Sequence, residues 1–345
     1  MLKPLPRTTL LLALALGLLV NPAWASGDRP LKGLVIFGDS LSDPGNAFVL
    51  TGEVSVRPFE LIPDAPYLIG GLHLSNGKTW VEQLAADYGL RRDARPAFLA
   101  PGFFSNYAVG AARARGNGPI DLTSQVGVFR SVSPRKLPGD RLYVMWLGGN
   151  DVRDAFTALT KGGSPARARG IIRAAVTTIY DNIKLLADSG ACQFLVPNAP
   201  NIGLVPAITQ FGPGAVLLGT MVAASFNQAL EGALTALETE MARRKCFAVV
   251  RLNIFQIVTE IVDEPGSVGL TNAEDSCITP GVIRGAICRR PNEYLFWDGI
   301  HPTRAGHAIL AAKAKAALAE TLPVGHKSGH GWGGRIPGLA SGAVR

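Results

Sequence analysis

Short apolar runs alternate with longer helix-like stretches, and this order constrains the fold of the chain more than any other feature. Five runs are rich in β-branched and aromatic residues, as buried strands are: Leu34 to Phe37, Phe103 to Val109, Arg141 to Leu147, Gln193 to Val196 and Phe247 to Leu252. Four stretches have apolar residues spaced by three and four, which predicts helices: Trp80 to Tyr88, Ala166 to Ala187, Ala215 to Arg244 and Ala305 to Leu322. Strands that alternate with helices predict an α/β fold, here a three-layer α/β/α sandwich with about five parallel strands.

The first 25 residues have the pattern of a secretory signal peptide. Lys3 and Arg7 precede an uncharged apolar run over 10–20, which is too short to span a bilayer. Ala23-Trp24-Ala25 then supplies a small-x-small cleavage site. We therefore predict cleavage after Ala25 and a secreted or periplasmic protein. An uncleaved membrane anchor is the alternative.

The rest of the chain is predicted to hold one folded domain, over residues 26–323. Residues 324–345 are rich in glycine and are predicted to form a disordered tail. The formal net charge is +8, but no run of five or more basic residues occurs, which argues against a nucleic-acid partner. Transient contact with an anionic membrane surface stays open, as does the oligomeric state.

Four cysteines in an exported chain predict disulfide bonds. Cys277 and Cys288 are close in sequence. Cys192 and Cys246 each begin a strand-like run, so the two lie side by side if those strands are parallel neighbours. The preferred pairing is therefore 277 with 288 and 192 with 246. A zinc site is the rival interpretation, but the chain has no C-x-x-C pair.

Ser40 lies where the first strand-like run gives way to small and polar residues, which places it at the carboxyl edge of the predicted sheet. A serine nucleophile needs a base, an acid to orient that base and donors for the oxyanion. Asp298 and His301 are three residues apart, and one turn with this spacing brings the carboxylate under the imidazole. Ser40 does not lie in a G-x-S-x-G elbow, which disfavours the ordinary α/β-hydrolase fold.

Four segments resemble, in the same order, the motif blocks of the GDSL or SGNH hydrolases, esterases and lipases with a flavodoxin-like sheet. They are Phe37 to Asn46, Asn106 to Gly110, Gly148 to Asp151 and Asp298 to Thr303. The resemblance spans about residues 31–320. Two further segments, Ser75 to Trp80 and Tyr294 to Trp297, resemble the branch that contains secreted bacterial lipolytic enzymes.

The resemblance implies a role for each matched residue and implies no cofactor. Ser40 would be the nucleophile and would also donate its backbone N–H to the oxyanion, with His301 as base and Asp298 as the residue that orients it. The Asn150 side-chain amide would be a second oxyanion donor. Many relatives have two glycines where this chain has Gly110 and Ala111, so either backbone N–H could be the third donor. Gly110 is the choice made here.

Several other residues near these motifs are expected to have structural roles. Asp39, Asp43 and Asp151 are predicted to bind nearby backbone N–H groups. His73 is expected on a surface loop, and His307 on a helix. Two long apolar loops, 46–76 and 197–214, lie after the first and fourth strands and are expected either to line the site or to cover the edge of the sheet.

The sequence therefore predicts an exported serine hydrolase that cleaves carboxylic esters of small molecules or lipids through an acyl-enzyme. The apolar loops favour acyl chains, and so an esterase, lipase or phospholipase. Two alternatives stay open: an acetylesterase that acts on polysaccharide, and a catalytically silent binding protein with the same fold.

Overall fold

Four parallel strands form the centre of the computed structural model, which describes residues 31–52, 71–279 and 286–322. The strands lie side by side in chain order: β1 (Gly33–Gly38), β2 (Arg141–Trp146), β3 (Gln193–Pro197) and β4 (Ala248–Leu252). Most of their residues are buried, as in a parallel sheet that is covered on both faces. The predicted α/β fold is confirmed.

The helices and a smaller strand pair surround this sheet. The helices are α1 (Asn46–Thr51), α2 (Trp80–Asp87), α3 (Leu122–Val132), α4 (Gly149–Thr160), α5 (Pro165–Asp188), α6 (Pro206–Thr209), α7 (Pro213–Met241), α8 (Ile254–Asp263) and α9 (Arg304–Thr321). The second pair consists of β5 (Asn272–Ser276) and β6 (Tyr294–Phe296), which are parallel. Helices α3, α4, α5 and α7 form one layer, and α2 packs on α9 in the other. The chain passes from β1 to β4 in one direction across the sheet, and each connection between parallel strands is right-handed. The helices of these connections therefore lie on the same face of the sheet, where they form the first layer.

The second of the five predicted strands, Phe103 to Val109, is an irregular edge rather than a regular strand. Its backbone follows the free side of β1, where the N–H of Tyr107 donates to the carbonyl of Ile36 at 2.7 Å. Its strand-like pairing with β1 is limited to one bridge, between Ile36 and Asn106. On the outer side, the Asn46 amide donates to the carbonyls of Asn106 and Ala108 at 2.7 and 2.8 Å. The backbone of residues 95–97 also pairs there with Asn106, so a short backbone bridge and one side chain share the outer side of this segment.

Both predicted disulfides are present. Cys192 is bonded to Cys246 with a Cα–Cα distance of 5.3 Å, and Cys277 to Cys288 with a Cα–Cα distance of 4.9 Å. The first joins the beginnings of β3 and β4, which are parallel neighbours as the pairing argument required.

Three predicted segments lie outside the described residues and stay predictions. They are the signal peptide over 1–25, the glycine-rich tail over 324–345 and residues 53–70 of the first long loop. Within the described part of the chain, no helix is both long and apolar enough to cross a membrane.

Candidate active site

The turn after β1 holds Ser40 in a fixed position. The Ser42 N–H donates to the Asp39 carbonyl at 3.0 Å, and the Leu41 N–H donates to Asp39 Oδ1 at 3.0 Å. Gly38 allows this turn to pack closely, because a Cβ there would lie 2.9 Å from the Ser42 Cβ. Ser40 is 8 % exposed and lies at the wall of a pocket.

Ser40, His301 and Asp298 form one continuous chain of side-chain contacts. Ser40 Oγ lies 2.8 Å from His301 Nε2, and His301 Nδ1 lies 2.7 Å from Asp298 Oδ2. Asp298 Oδ1 also accepts the backbone N–H groups of Ile300 and His301. With the proton on Nδ1, the imidazole donates to Asp298 and leaves Nε2 to accept from the serine hydroxyl. The structure thus brings together the three residues that the motifs singled out.

The electrostatics of Asp298 favour its ionised form. Burial acts to raise its pKa, but the charge of His301 and the hydrogen bonds from His301 and Ile300 outweigh burial and hold the pKa below its usual value. Asp298 is therefore an anion beside the imidazole at neutral pH.

The loop that carries His301 is held by residues 75–77. Ser75 Oγ donates to the Pro302 carbonyl at 2.8 Å, and the Arg304 N–H donates to Asn76 Oδ1 at 2.6 Å. Gly77 packs directly on Arg304, because a Cβ there would lie 2.7 Å from the arginine side chain. In the sequence this S-N-G segment is recognisable only by its family resemblance, and its position beside the His301 loop comes from the fold.

Asn150 lies in the first turn of α4 and lines the same pocket as Ser40. Its Nδ2 donates to the Ala112 carbonyl at 2.8 Å, which uses one of the two amide N–H groups and fixes the side chain. The preceding Gly148 has φ of 121°, and a Cβ there would lie 2.3 Å from the Phe226 ring. The glycine is therefore required for the turn that presents Asn150.

The backbone N–H groups of Gly110 and Ala111, the two alternatives for the third oxyanion donor, differ in their hydrogen bonds. The Gly110 N–H donates to Asp43 Oδ2 at 2.7 Å, so it is already engaged. Ala111 has φ of 66°, a left-handed conformation that is uncommon for a residue with a Cβ. Ala111 is thus the remaining candidate donor in this segment.

The three other acids near the site bind backbone, as predicted. Asp43 accepts N–H groups from Ala47 and Gly110, and Asp151 accepts the N–H of Ala114 at 2.8 Å. Burial raises the pKa of Asp43, raises that of Asp39 to about 6 and raises that of Asp151 to about 7, although their hydrogen bonds act in the opposite direction. These carboxyl groups hold turns in place.

The pocket beside Ser40 and His301 opens to solvent and is mostly apolar. Its apolar side chains include Leu41, Trp146, Ile202, Val205, Ile208, Ile254, Val258, Phe296 and Leu310. The second long loop, 197–214, contributes much of this wall, in agreement with the expectation that it lines the site. The described parts of the first loop, residues 46–52 and 71–76, do not contribute to it.

The two other histidines near the site are buried. His73, expected at the surface, lies with its Nε2 2.8 Å from Glu82 Oε2, because the loop that carries it packs on the beginning of α2. His307 lies on α9 as expected, and burial lowers its pKa to about 3, with the charges of His301 and His73 acting in the same direction.

The family model described as GDSL-like lipase/acylhydrolase matches residues 34–314. The chain belongs to this family. A GDSL esterase/lipase of Arabidopsis thaliana is 26 % identical over 323 residues, which cover 84 % of this chain and 90 % of that protein. An inactive GDSL esterase/lipase-like protein of the same plant is 25 % identical over 290 residues, covering 79 % and 68 %. Lipase 1 of Photorhabdus luminescens is 26 % identical over 188 residues, covering 54 % of this chain and 25 % of that protein.

Among solved structures, an acetylxylan esterase from Geobacillus stearothermophilus is similar, with a TM-score of 0.43 and 13 % identity over 85 % of this chain and 94 % of that one. The family model confirms the predicted GDSL family. The predicted bacterial branch stays a prediction, because the similar proteins come from both plants and bacteria. Ester hydrolysis is the general activity of this family, but one relative is named as inactive, so membership alone does not establish activity.

Proposed function

We propose that this GDSL-family protein hydrolyses carboxylic esters through an acyl-enzyme on Ser40. The observation that carries the proposal is the continuous contact from Ser40 through His301 to Asp298, at 2.8 and 2.7 Å, in the wall of an apolar pocket. This arrangement supplies a nucleophile, a base and an orienting acid next to a place where a substrate can bind.

In the first half of the proposed reaction, Ser40 Oγ attacks the ester carbonyl carbon while His301 Nε2 takes the hydroxyl proton. Asp298 stabilises the imidazolium that forms. The tetrahedral oxyanion accepts hydrogen bonds from the backbone N–H groups of Ser40 and Ala111 and from the Asn150 amide. Collapse breaks the bond to the alcohol, which leaves with the proton from His301.

In the second half, water attacks the acyl group on Ser40 and gives its proton to His301. The same oxyanion donors stabilise the second tetrahedral intermediate, whose collapse releases the carboxylic acid and returns the proton to Ser40 Oγ. No redox step or leaving group other than the alcohol is needed.

The apolar wall supports a substrate with an acyl chain, as in esterases, lipases and phospholipases. An acetyl group would contact little of this apolar wall, which makes a polysaccharide acetylesterase the second candidate. The two disulfides support an oxidising compartment, and with the predicted signal peptide over 1–25 we place the protein outside the cytoplasm, secreted or periplasmic.

Hydrolysis of p-nitrophenyl esters from acetyl to palmitoyl, with a phospholipid and acetylated xylan beside them, tests the proposal. Ser40→Ala and His301→Ala should each lower kcat by about 10⁴- to 10⁶-fold, and Asn150→Ala by about 10²- to 10³-fold with KM little changed. The exposed Ser225 gives a matched control, because Ser225→Ala should retain wild-type kcat.

The chain-length series distinguishes the candidates. A maximum beyond acetyl supports the acyl-chain assignment, and a preference for acetylated xylan supports the second candidate. Near wild-type turnover in Ser40→Ala would contradict the mechanism. Correctly folded protein that hydrolyses none of these esters would indicate a silent binding protein.

A further inference from the structure

Arg153 contributes a cationic side chain to the mostly apolar wall of the pocket. It lies on α4 three residues after Asn150, so both side chains lie on the same face of the helix and both line the pocket with Ser40. Among the described residues that line this pocket, Arg153 is the only arginine or lysine. Asp39 also lines the pocket, so the guanidinium is a cation close to a buried acid, and it is the group of this wall that can recognise an anionic ligand.

The electrostatics around Arg153 agree with a cation that is held partly out of water. Burial lowers its pKa, the charge of Arg113 acts in the same direction, and the charges of Asp154 and Asp39 oppose them. Asp154 is shared, because it also accepts hydrogen bonds from Arg113 and Arg115. Loss of water strengthens the attraction between a cation and an anionic ligand, so Arg153 gains more from an incoming anion than an exposed arginine would.

We propose that Arg153 binds an anionic group of the substrate and selects anionic esters over neutral ones. The proposal rests on the proposed function and names the substrate class of the same site: a carboxylic ester whose alcohol part carries a phosphate or a carboxylate. A planar guanidinium binds either group through two parallel hydrogen bonds. The ester carbonyl then lies at Ser40 and Asn150 while the anionic group lies at Arg153, with the acyl chain along the apolar wall.

Three substrates with one acyl chain test this specificity: octanoylglycerol as the neutral ester, octanoylglycerol phosphate and O-octanoyl glycolate. Arg153→Gln should lower kcat/KM for an anionic ester by roughly 10- to 100-fold, chiefly through KM, and for octanoylglycerol by less than about 3-fold. Arg153→Lys keeps the charge without the two-pronged geometry and should lose less than Arg153→Gln on the same ester. Arg169→Gln, the same charge change at an exposed position of α5, should alter none of the three.

The pattern of losses identifies the anionic group. A loss on the phosphate ester alone assigns phosphate, a loss on the glycolate ester alone assigns carboxylate, and a loss on both assigns anionic esters in general. Equal losses on all three substrates, or no loss on either anionic ester, would overturn the proposal.

Retained fluorophosphonate labelling of Ser40 in Arg153→Gln shows that the variant is folded. If the wild type hydrolyses octanoylglycerol but Arg153→Gln loses nothing on the anionic esters, only the specificity fails; if the wild type hydrolyses no ester, the proposed function fails with it.

Discussion

Asp298 and Asp43 are both aspartates with 2 % exposure in the segments that carry the candidate site, yet they hold different partners. Asp298 faces an imidazole and two N–H groups of its own loop, and its pKa is held below the usual value. Asp43 accepts backbone N–H groups, from the turn over 45–47 and from Gly110, and burial raises its pKa. Burial is the same at both positions, so the partner decides which acid can serve in catalysis.

Replacing either aspartate by asparagine removes its charge, and we expect the first replacement to lower kcat and the second to lower stability. In Asp298→Asn, the new amide no longer favours the imidazole tautomer that leaves Nε2 free to accept the proton of Ser40. We expect kcat to fall by about 10⁴-fold, while the midpoint of thermal unfolding changes little. Steady-state kinetics and thermal unfolding of the same preparation measure both. A kcat within tenfold of wild type would show that Asp298 does not orient His301.

Asp43→Asn should lower stability and leave the chemistry of the folded fraction largely intact. Whichever way the amide turns, its NH₂ group faces two of the backbone N–H groups that Asp43 now binds. We expect the free energy of unfolding to fall by about 2–4 kcal/mol, with kcat per folded molecule within about tenfold of wild type. Denaturant unfolding and active-site titration give the two numbers. A large loss of kcat with unchanged stability would mean that Asp43 takes part in catalysis, as Asp298 is proposed to do.

The third buried acid, Asp151, should make the free energy of unfolding depend on pH, because burial raises its pKa. Its pKa is about 7 in the folded protein and 3.8 is the unperturbed value, so between these pH values the folded state binds the extra proton and the free energy of unfolding falls as pH rises. Asp151→Asn lacks this titration. The difference in unfolding free energy, variant minus wild type, should therefore increase by roughly 1–3 kcal/mol from pH 5 to pH 8.

The measurement for Asp151 is denaturant unfolding at both pH values, with Asp263→Asn at an exposed position as the control. Only the change with pH is used, because the new amide also alters the hydrogen bonds to Ala114 and Arg115 at every pH. A difference that stays constant, or decreases, from pH 5 to pH 8 would contradict the raised pKa.

The smallest expected effect is at Ala111, next to the N–H that Asp43 binds. A left-handed backbone is costly for alanine and free of strain for glycine, so Ala111→Gly should raise the free energy of unfolding by about 0.5–1 kcal/mol. The N–H keeps its direction, and kcat should stay within about threefold. The neighbouring Ala112, which does not have a positive φ, is the matched control, and Ala112→Gly should destabilise. A lower free energy of unfolding in Ala111→Gly would contradict backbone strain at Ala111.

Much of the site could be predicted because its chemistry lies in local patterns. Ser40 follows a strand, and Asp298 and His301 share one turn, so short segments already determine how their side chains meet once the sheet forms. The disulfide between Cys192 and Cys246 follows from two neighbouring strand beginnings. The local placement of these residues follows from periodicity and spacing, whereas the pairing of Ser40 with Asp298 and His301 is implied by the family resemblance of the four motif blocks.

The features that were missed depend on contacts between distant segments or on backbone angles. The polar segment of β5 has none of the apolar character by which strands were recognised, and His73 is buried only because its loop reaches Glu82. The engagement of Gly110 needs Asp43, 67 residues away. Arg153 had a usable signal, since it lies one helical turn after the Asn150 motif, but helix α4 was not among the predicted helices.

Covalent labelling by a fluorophosphonate, followed by peptide mapping, tests the central claim most directly, because only an activated serine reacts. The account predicts one adduct on Ser40, formed rapidly in the wild type and in Asp43→Asn, slowly in Asp298→Asn, and absent in Ser40→Ala. Folded wild-type protein that stays unlabelled, or an adduct on a serine other than Ser40, would contradict it.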